Sequence, residues 1–581
     1  MAKIIMRSYA SPALVLLAFD WPDADQHADF LGFAIRRTPG FYGQVQSWLP
    51  NRRRFAAPEE GKDYPSNEAP IQKFMWWDAR IGPEHGDVQQ IRYEAWSARG
   101  AAGNVQLVYA AKAECVVDIP PNVVDGIGTW FNRAVVSSQA FSFMLKKIGL
   151  ANNQKPTDEQ ALELREWLSA KMHTALVGHM AQAGKAKAEL SGAIYHLTDK
   201  LWTIPALDKA ADDGATVKLV YDARTQKDRD TGETLPPPTE SAVAGLAGRV
   251  MFHPRNKTTI MHNKFIVSGR NLGDESPQAE SVLMGSANFT TGGLTTQANV
   301  IHTFRSPGLA QSYLERFEIL RANPTTGQTA KHAGWSPTET VGDAAIRVFF
   351  APEPAKKRDS IDTIVRAIHG ARSSVMFCLF SPTDEALRLA CFAAGDRGRM
   401  MFGLVNNIAD KEGKHVEDDM RADERAAIEL YHRSKNNRDV IEASRYRWDT
   451  RPAGFVSEQQ LFPGEGRPSF PPVIIHHKMV LIDAETDQPI IYTGSANMSK
   501  NSVNNNDENL LEIMGSRRLA GIYLAEFLRL YEHYRARAFA PGSNKDDGKL
   551  KTTRDAWARK HLKPGTPEFR ARLAMTGRPP G

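Results

Sequence analysis

Two stretches of this 581-residue chain repeat one another, and the repeat limits the possible folds more than any other feature. Ile260-Met261-His262-Asn263-Lys264-Phe265-Ile266-Val267 matches Ile475-His476-His477-Lys478-Met479-Val480-Leu481, and Gly285-Ser286-Ala287-Asn288-Phe289 matches Gly494-Ser495-Ala496-Asn497-Met498. Upstream, strand-like Ala193-Ile194-Tyr195-His196-Leu197-Thr198 leads through Asp199 and a helix-like segment to Val217-Lys218-Leu219-Val220-Tyr221. In the other half, Val375-Met376-Phe377-Cys378-Leu379-Phe380 leads through Asp384 to Met400-Met401-Phe402-Gly403-Leu404-Val405. The halves also end alike, because Ser306, Leu309, Ala310, Tyr313, Leu314 and Phe317 recur as Ser516, Leu519, Ala520, Tyr523, Leu524 and Phe527 at an offset of 210. Strands and helices alternating twice over predict two α/β subdomains related by a pseudo-twofold axis.

The remainder of the chain reads differently. Short apolar or alternating runs at 13–19, 30–36, 71–77, 91–96 and 105–110, separated by Pro, Gly, Asn and Asp, predict an antiparallel β-sandwich of the immunoglobulin or fibronectin type. Its Trp21, Trp48, Trp76, Trp77 and Trp96 are expected in the core rather than on a ligand-binding face. From Trp130 to about Gln182 the period becomes helical. The expected fold class is therefore α/β (α+β overall), in four parts. Residues 1–125 form the sandwich, 126–335 a helical entry and the first repeat half, 336–540 the second half, and 541–581 a basic tail. Pro-rich 235–238 and 462–472 precede the two histidine segments and read as loops.

Composition narrows the function. The three cysteines, Cys115, Cys378 and Cys391, form no ligand-spaced cluster, so neither a structural zinc nor a disulfide framework is expected. The apolar run at 13–19 is too short to span a bilayer and lacks a small-residue cleavage site, so neither a Sec-type signal nor a transmembrane segment is expected and a cytoplasmic or peripheral-membrane location is. The net charge of +6 resides in the tail, where 10 basic residues face 4 acidic ones; the other 540 residues balance at 63 against 63. Attraction to an anionic surface would come from the tail or from local patches.

In a strand, residues i and i+2 share a face, so His262 would converge with Lys264 and His476 with Lys478. One phosphate could then meet two imidazoles and two ammonium groups, with donors from the Gly-Ser-Ala-Asn turns neutralising charge on the non-bridging oxygens. His477 is turned away by strand alternation, and His302 lacks a lysine partner; both read as structural.

These motifs resemble the phospholipase D superfamily, whose signature is His-x-Lys, four residues, Asp, then a Gly-Ser-x-x-Asn-type segment, once per half. His476, Lys478 and Asp483 fit without alteration, and Gly494, Ser495 and Asn497 supply the shorter Gly-Ser-x-Asn form. The first half offers His262, Lys264, Gly285, Ser286 and Asn288, with Gly269 at the Asp position. The resemblance implies a metal-independent phosphodiesterase that forms a phosphohistidine, with no cofactor, and one site formed within a single chain. It implies that Asp483 orients His262, making His262 the nucleophile and His476 the acid and base. Glu508 would stand near His476, its first-half match 210 earlier being Ala298. Lysines, asparagines, Ser286 and Ser495 would bind the substrate phosphate.

The expected substrate is a phospholipid at a membrane surface, cleaved at or exchanged at its head group, with the basic, Trp557-containing tail docking on anionic lipid or remaining solvated chain. The alternatives are a DNA or RNA nuclease whose tail contacts phosphates, and a non-catalytic phosphate-binding scaffold.

Overall fold

The computed structural model describes residues 2–578 apart from 60–61, 82–87, 135–138, 151–153, 155, 228–230, 273–276, 381, 418–419, 444–473 and 539–548. The Pro-rich 462–472 stretch lies outside the described residues.

Near the N-terminus, two antiparallel sheets share one core. One holds Ile5–Ala10, Val15–Asp20 and Met75–Asp78; the other holds Ser47–Trp48, Phe30–Thr38, Gln90–Ala101 and Asn104–Asp118. Alternation of the inward residues, such as Val15, Leu17 and Phe19 against Phe33, Ile35, Ile91 and Tyr93, packs that core. Buried Asp78 accepts hydrogen bonds from Arg37 Nη1 and the Tyr93 hydroxyl, both at 2.8 Å, which satisfies a charge that burial would otherwise penalise. Of the five tryptophans expected in the core, Trp21 and Trp96 are buried, whereas Trp48, Trp76 and Trp77 are half-buried.

The two repeat halves are two mixed sheets of the same design. The first runs Val123–Val124, Ile127–Phe131, Val300–Phe304, Gln278–Gly285, Lys264–Arg270, Glu189–Ile194, Thr216–Asp222, Val250–Arg255. The second runs Gly334–Trp335, Ala344–Ala351, Asn506–Met514, Ile490–Gly494, Lys478–Ile482, Ser374–Leu379, Met400–Val405, Val440–Glu442. The register agrees strand for strand. Glu189–Ile194 pairs Thr216–Asp222 in parallel and Lys264–Arg270 antiparallel, as Ser374–Leu379 does with Met400–Val405 and Lys478–Ile482. The helical reading from Trp130 needs adjustment: Ile127–Phe131 is a strand that joins the first sheet beside Val300–Phe304, and helices begin only at Gln139. Two matched helices, Pro307–Arg321 and Arg517–Ala538, contribute Tyr313, Phe317, Tyr523 and Phe527 to a core that also holds residues of both sheets. The serines preceding them cap them alike, Ser306 and Ser516 each accepting from the backbone N–H three residues on.

Neither the solvated chain nor the membrane-docking arm expected of 541–581 describes its placed residues. Helix Arg554–Leu562 inserts Trp557 against Phe30 and Phe74, at 5.1 and 5.5 Å between ring centroids, and its indole N–H donates to Phe30 O at 3.1 Å. Helix Pro567–Met575 places Arg572 on buried Asp20 at 2.7 Å and joins the core through Ala571, Ala574 and Met575. Trp557 is half-buried, its ring packed on the N-terminal core and its indole N–H satisfied inside the protein, and Arg572 is committed to an internal ion pair. No helix among the described residues is long and apolar enough to cross a membrane.

Candidate active site

The two His-x-Lys segments are not continuous strands. Ile260–Met261 pairs in parallel with Asn506 and Asp507 of the second half, the chain then breaks at His262 and Asn263, and Lys264–Arg270 pairs within the first sheet. The second copy mirrors this: Ile474–Ile475 pairs with Gln297 and Ala298 of the first half, then Lys478–Ile482 joins the second sheet. Each histidine thus stands where the chain passes from one half to the other, and each has its backbone N–H held across that boundary. His262 N donates to Asp507 O at 2.9 Å, and His476 N to Ala298 O at 3.2 Å. The imidazoles approach to 6.5 Å between centroids. Lys264 and Lys478 Nζ donate back to His262 O and His476 O, each at 2.6 Å.

The side chains are also completed from the opposite half. His262 Nδ1 lies 2.8 Å from Glu508 Oε2, and that carboxylate is fixed by Ser495 Oγ at 2.7 Å and Ser502 Oγ at 2.9 Å. His476 Nδ1 lies 2.9 Å from Asn299 Oδ1, which also accepts from Ser286 Oγ at 2.8 Å. Asn299 Nδ2 donates to Gly293 O at 2.9 Å and Gln297 O at 3.2 Å, which fixes the amide orientation. Both histidines therefore carry hydrogen on Nδ1 and present Nε2 as the free nitrogen.

Glu508 and Asn299 are equivalent positions, each 13 residues after the serine of its Gly-Ser-Ala-Asn turn. The turns are offset by 209 rather than 210, so the match of Glu508 is Asn299, not Ala298. Asn299 is the residue that sequence reading missed, and counting from the turns instead of the helices finds it.

Three expected contacts are corrected by this geometry. Glu508 serves His262, not His476. Asp483 does not reach an imidazole: its carboxylate accepts the backbone N–H groups of Arg372, Ser373 and Ser374, at 2.9, 2.8 and 2.9 Å. Ser286 and Ser495 are fully buried and their hydroxyls are committed to Asn299 and Glu508, so they position the residues behind the histidines rather than touch a substrate. Gly269, at the position matching Asp483, has no space for a side chain, since a Cβ there would lie 2.2 Å from Gln278 O. The first half closes this strand end by close backbone packing, and His262 and Lys264 keep the same placement as His476 and Lys478. Alanine at 483 is expected to destabilise the protein by roughly 3 kcal/mol, through three orphaned backbone donors. Thermal unfolding together with kcat per folded molecule checks this, kcat staying within about threefold of the parent as expected for a site remote from reacting atoms.

Asn288 and Asn497 lie in the equivalent turns, their Oδ1 atoms buried with no hydrogen-bond partner among the described residues. His302 bonds Tyr523 Oη at 2.6 Å and Thr129 Oγ1 at 3.1 Å in the core, and His477 packs 5.4 Å from Phe131, so both are structural as expected. Tyr195 and Phe380, the residues that follow the equivalent strands, flank the site edge-on at 5.0 Å from His262 and 6.3 Å from His476.

Burial dominates the electrostatics. It pushes His262 down to about 4, with Glu508 opposing and Lys264 and Lys478 adding to the fall. His476, which has no carboxylate partner among the described residues, is held well below the usual imidazole range by burial and then by Lys478 and Lys264. Lys264 is pushed down to about 7 by burial, against the pull of Glu508, and Lys478 is also depressed, by burial and by Lys264. Burial would raise Glu508, but His262 and Lys264 outweigh it and keep the carboxyl ionised below its ordinary range. The two histidines, 6.5 Å apart between centroids, and the two lysines folded back on them gather cationic donors and two Nε2 atoms suited to a tetrahedral anion. Among the described residues no group of three or more His, Cys, Asp or Glu is arranged to hold a metal ion.

The family described as "Cardiolipin synthase, PLD-like domain" matches residues 180–321 and 364–531, more than half of the chain and both His-x-Lys segments. The chain belongs to the phospholipase D-like family. The two matched segments are the two repeat halves, and they bracket this phospholipase D-like site. No curated protein matches the chain. Among solved structures, phosphatidylserine synthase of Haemophilus influenzae Rd KW20 is 13% identical over 66% of this chain and 89% of its own, with a TM-score of 0.43. Yeast tyrosyl-DNA phosphodiesterase is 10% identical over 57% and 86%, with a TM-score of 0.30. Nuc from Salmonella typhimurium, a phospholipase D family member, is 21% identical over 33% and 93%, with a TM-score of 0.20.

Proposed function

We propose that this phospholipase D-like protein cleaves or transfers a phosphodiester through a covalent phosphohistidine on His262. The observation that carries the assignment is the difference between the two Nδ1 partners, a carboxylate at His262 and an amide at His476. Phosphorylation at Nε2 makes an imidazole cationic while Nδ1 keeps its proton. Glu508 stabilises that cation; a neutral amide does so far less. The amide suits the opposite task, because an imidazolium without a counter-charge gives up its proton readily.

In the first step His262 Nε2 bonds to phosphorus, the ester bond to the departing oxygen breaks, and His476 Nε2–H delivers its proton to that oxygen. In the second, His476 takes a proton from water or an alcohol, the new oxygen bonds to phosphorus, and the N–P bond breaks. Lys264, Lys478, Asn288 and Asn497 hold the non-bridging oxygens as charge builds on them. The bound phosphodiester supplies the negative charge that lets the lysines and His476 carry their protons.

The pH profile of kcat/KM follows from the free-enzyme groups. The depressed His262 is neutral and nucleophilic above about 4, whereas His476, held well below the usual imidazole range, and Lys264, held down to about 7, must both carry protons, so kcat/KM should fall in acid below about 4 and fall on the alkaline side as His476 and then Lys264 lose theirs. Initial rates at low substrate across pH 3 to 10, in a constant-ionic-strength buffer, check the two limbs.

Phospholipid is the substrate class we favour, with hydrolysis or exchange of the head group, because the family description names a phospholipid synthase. The test presents mixed phospholipid vesicles, plasmid and single-stranded DNA in separate reactions, each with EDTA. Lipid turnover that survives EDTA is expected. Nucleic-acid cleavage without lipid turnover would replace the substrate, and loss of all activity in EDTA would overturn the mechanism.

A further inference from the structure

The pseudo-twofold makes each half a control for the other: a group required for the common chemistry recurs, and one that does not recur serves something else. Ile194 pairs with Tyr221 and Leu379 with Val405 in the matching parallel ladders, so Asp222 and Asn406, the next residues, are equivalent. They share one task. Asp222 accepts the backbone N–H of Met261, and Asn406 Oδ1 accepts that of Ile475 at 3.1 Å, each just before the catalytic histidine.

An amide suffices for that task in the second half, so the charge on Asp222 is surplus to it. Asp222 uses it to hold Arg224, whose Nε and Nη2 meet the two carboxylate oxygens at 2.7 Å each. This side-on grip leaves Nη1 outside the ion pair, and the Arg224 side chain is 32% exposed while Asp222 is 3%. The equivalent second-half residue is Ile408, which is buried.

The neighbouring position differs in the same sense. Tyr195 stands where the second half has Phe380. Both rings flank a histidine, so the Tyr195 hydroxyl exceeds what packing needs; it interacts with Arg224, and the ring lies 5.1 Å from Lys264 Nζ. His196 stacks on Tyr195 at 3.8 Å, feels the charges of Lys264, His262 and Arg224, and has a buried Nε2 with no hydrogen-bond partner among the described residues. A guanidinium, a phenol and an imidazole therefore cluster on the first-half side of the site, the phenol ring lying against His262 and Lys264. Buttressed arginines of this kind recognise carboxylates and phosphates with directed hydrogen bonds.

We propose that Arg224, Tyr195 and His196 bind a second acidic group, a carboxylate or a phosphate, carried by one ester arm of the substrate. The inference rests on the phosphodiesterase reading and narrows it to diesters bearing a further negative charge a few ångströms from the scissile phosphorus. Arg224 is the specificity-determining residue; Asp222 positions it.

The test uses the full-length protein and three soluble 4-nitrophenyl phosphodiesters, whose second arm is a plain propyl group, a propyl group ending in a carboxylate, or one ending in a phosphate. Nitrophenolate release from the plain diester, lost in His262→Ala, reports the phosphodiesterase reading by itself. The ratio of kcat/KM between acidic and plain diesters reports this inference. The parent enzyme is expected to favour at least one acidic diester by about tenfold, mainly through KM, the scale of one partly exposed charge-assisted contact; the carboxylate and phosphate arms show which acid fits. Arg224→Gln should bring the ratio close to one, and Arg224→Lys should restore part of it. Asp222→Asn copies the second half, retains an acceptor for Met261 N–H and releases Arg224, so it should lose the preference while remaining folded. A parent ratio near one for both acids, or a ratio unchanged in Arg224→Gln and Asp222→Asn, would overturn the proposal.

Discussion

His262→Ala removes turnover by about 10⁴-fold or more and leaves no phosphoryl label on the protein, the scale seen when a covalent nucleophile is deleted. His476→Ala behaves differently. It still forms the N–P bond with substrates whose leaving group departs without a proton, such as 4-nitrophenolate, and then stalls, because nothing activates water for the second step. Radiolabelled diester with a rapid alkaline denaturing quench, which preserves an N–P bond, and a burst of nitrophenolate equal to the enzyme concentration, read out the two variants. The physical basis is the asymmetry of the Nδ1 partners. Glu508 is fully buried and kept ionised by His262 and Lys264, so it faces the cation that phosphorylation creates. Asn299 orients His476 without adding charge. Labelling of His262→Ala but not of His476→Ala would exchange the two roles.

The second large effect is expected at Glu508. Glutamine retains the shape and an acceptor for Nδ1–H but removes the charge, and kcat should drop by about 100-fold, the upper range for a partner that orients and polarises a reacting imidazole. KM should move little, since the lysines and asparagines on the phosphate remain. A readout beyond rate separates this from simple misfolding. The negative charge of Glu508 helps hold Lys264 up at about 7, so removing that charge lowers Lys264 further and moves its part of the alkaline limb of kcat/KM to lower pH. An unshifted limb in a folded Glu508→Gln would show that the carboxylate does not act on the lysine. Asn299→Ala should cost less, about tenfold, because it removes orientation and no charge.

Much of this architecture was legible in the sequence because the repeat is written there twice. The paired His-x-Lys segments and turns identify the two α/β halves, and the matched helix residues place Tyr313 and Tyr523 in one core. Alternating apolar runs before residue 125 identify the antiparallel sheets. The errors have two physical sources. Strand periodicity treats a segment as belonging to one sheet, whereas 260–270 and 474–482 each leave one half and enter the other at the histidine. That crossing turns Glu508 of the second half toward His262 of the first, and Asn299 of the first half toward His476 of the second, which reversed the expected partner of Glu508. The second source is the competition between backbone and side chain for a carboxylate. Asp483 sits at a strand end, at a φ of 50°, where three amide donors converge on it. A sequence motif gives its spacing but not that claim on its oxygens. The tail misled for a related reason, since its basic count says nothing about Asp20, the buried acid that pairs with Arg572 and Arg578.

The central claim is a double displacement through a covalent intermediate, and stereochemistry at phosphorus tests it most directly. A chiral phosphorothioate diester, or one made chiral with oxygen isotopes, is turned over by the full-length enzyme with methanol as acceptor, and the configuration of the product is read by phosphorus NMR. Two in-line steps, the first by His262 and the second by the alcohol that His476 deprotonates, predict overall retention. Inversion would mean a single direct displacement and would contradict the account.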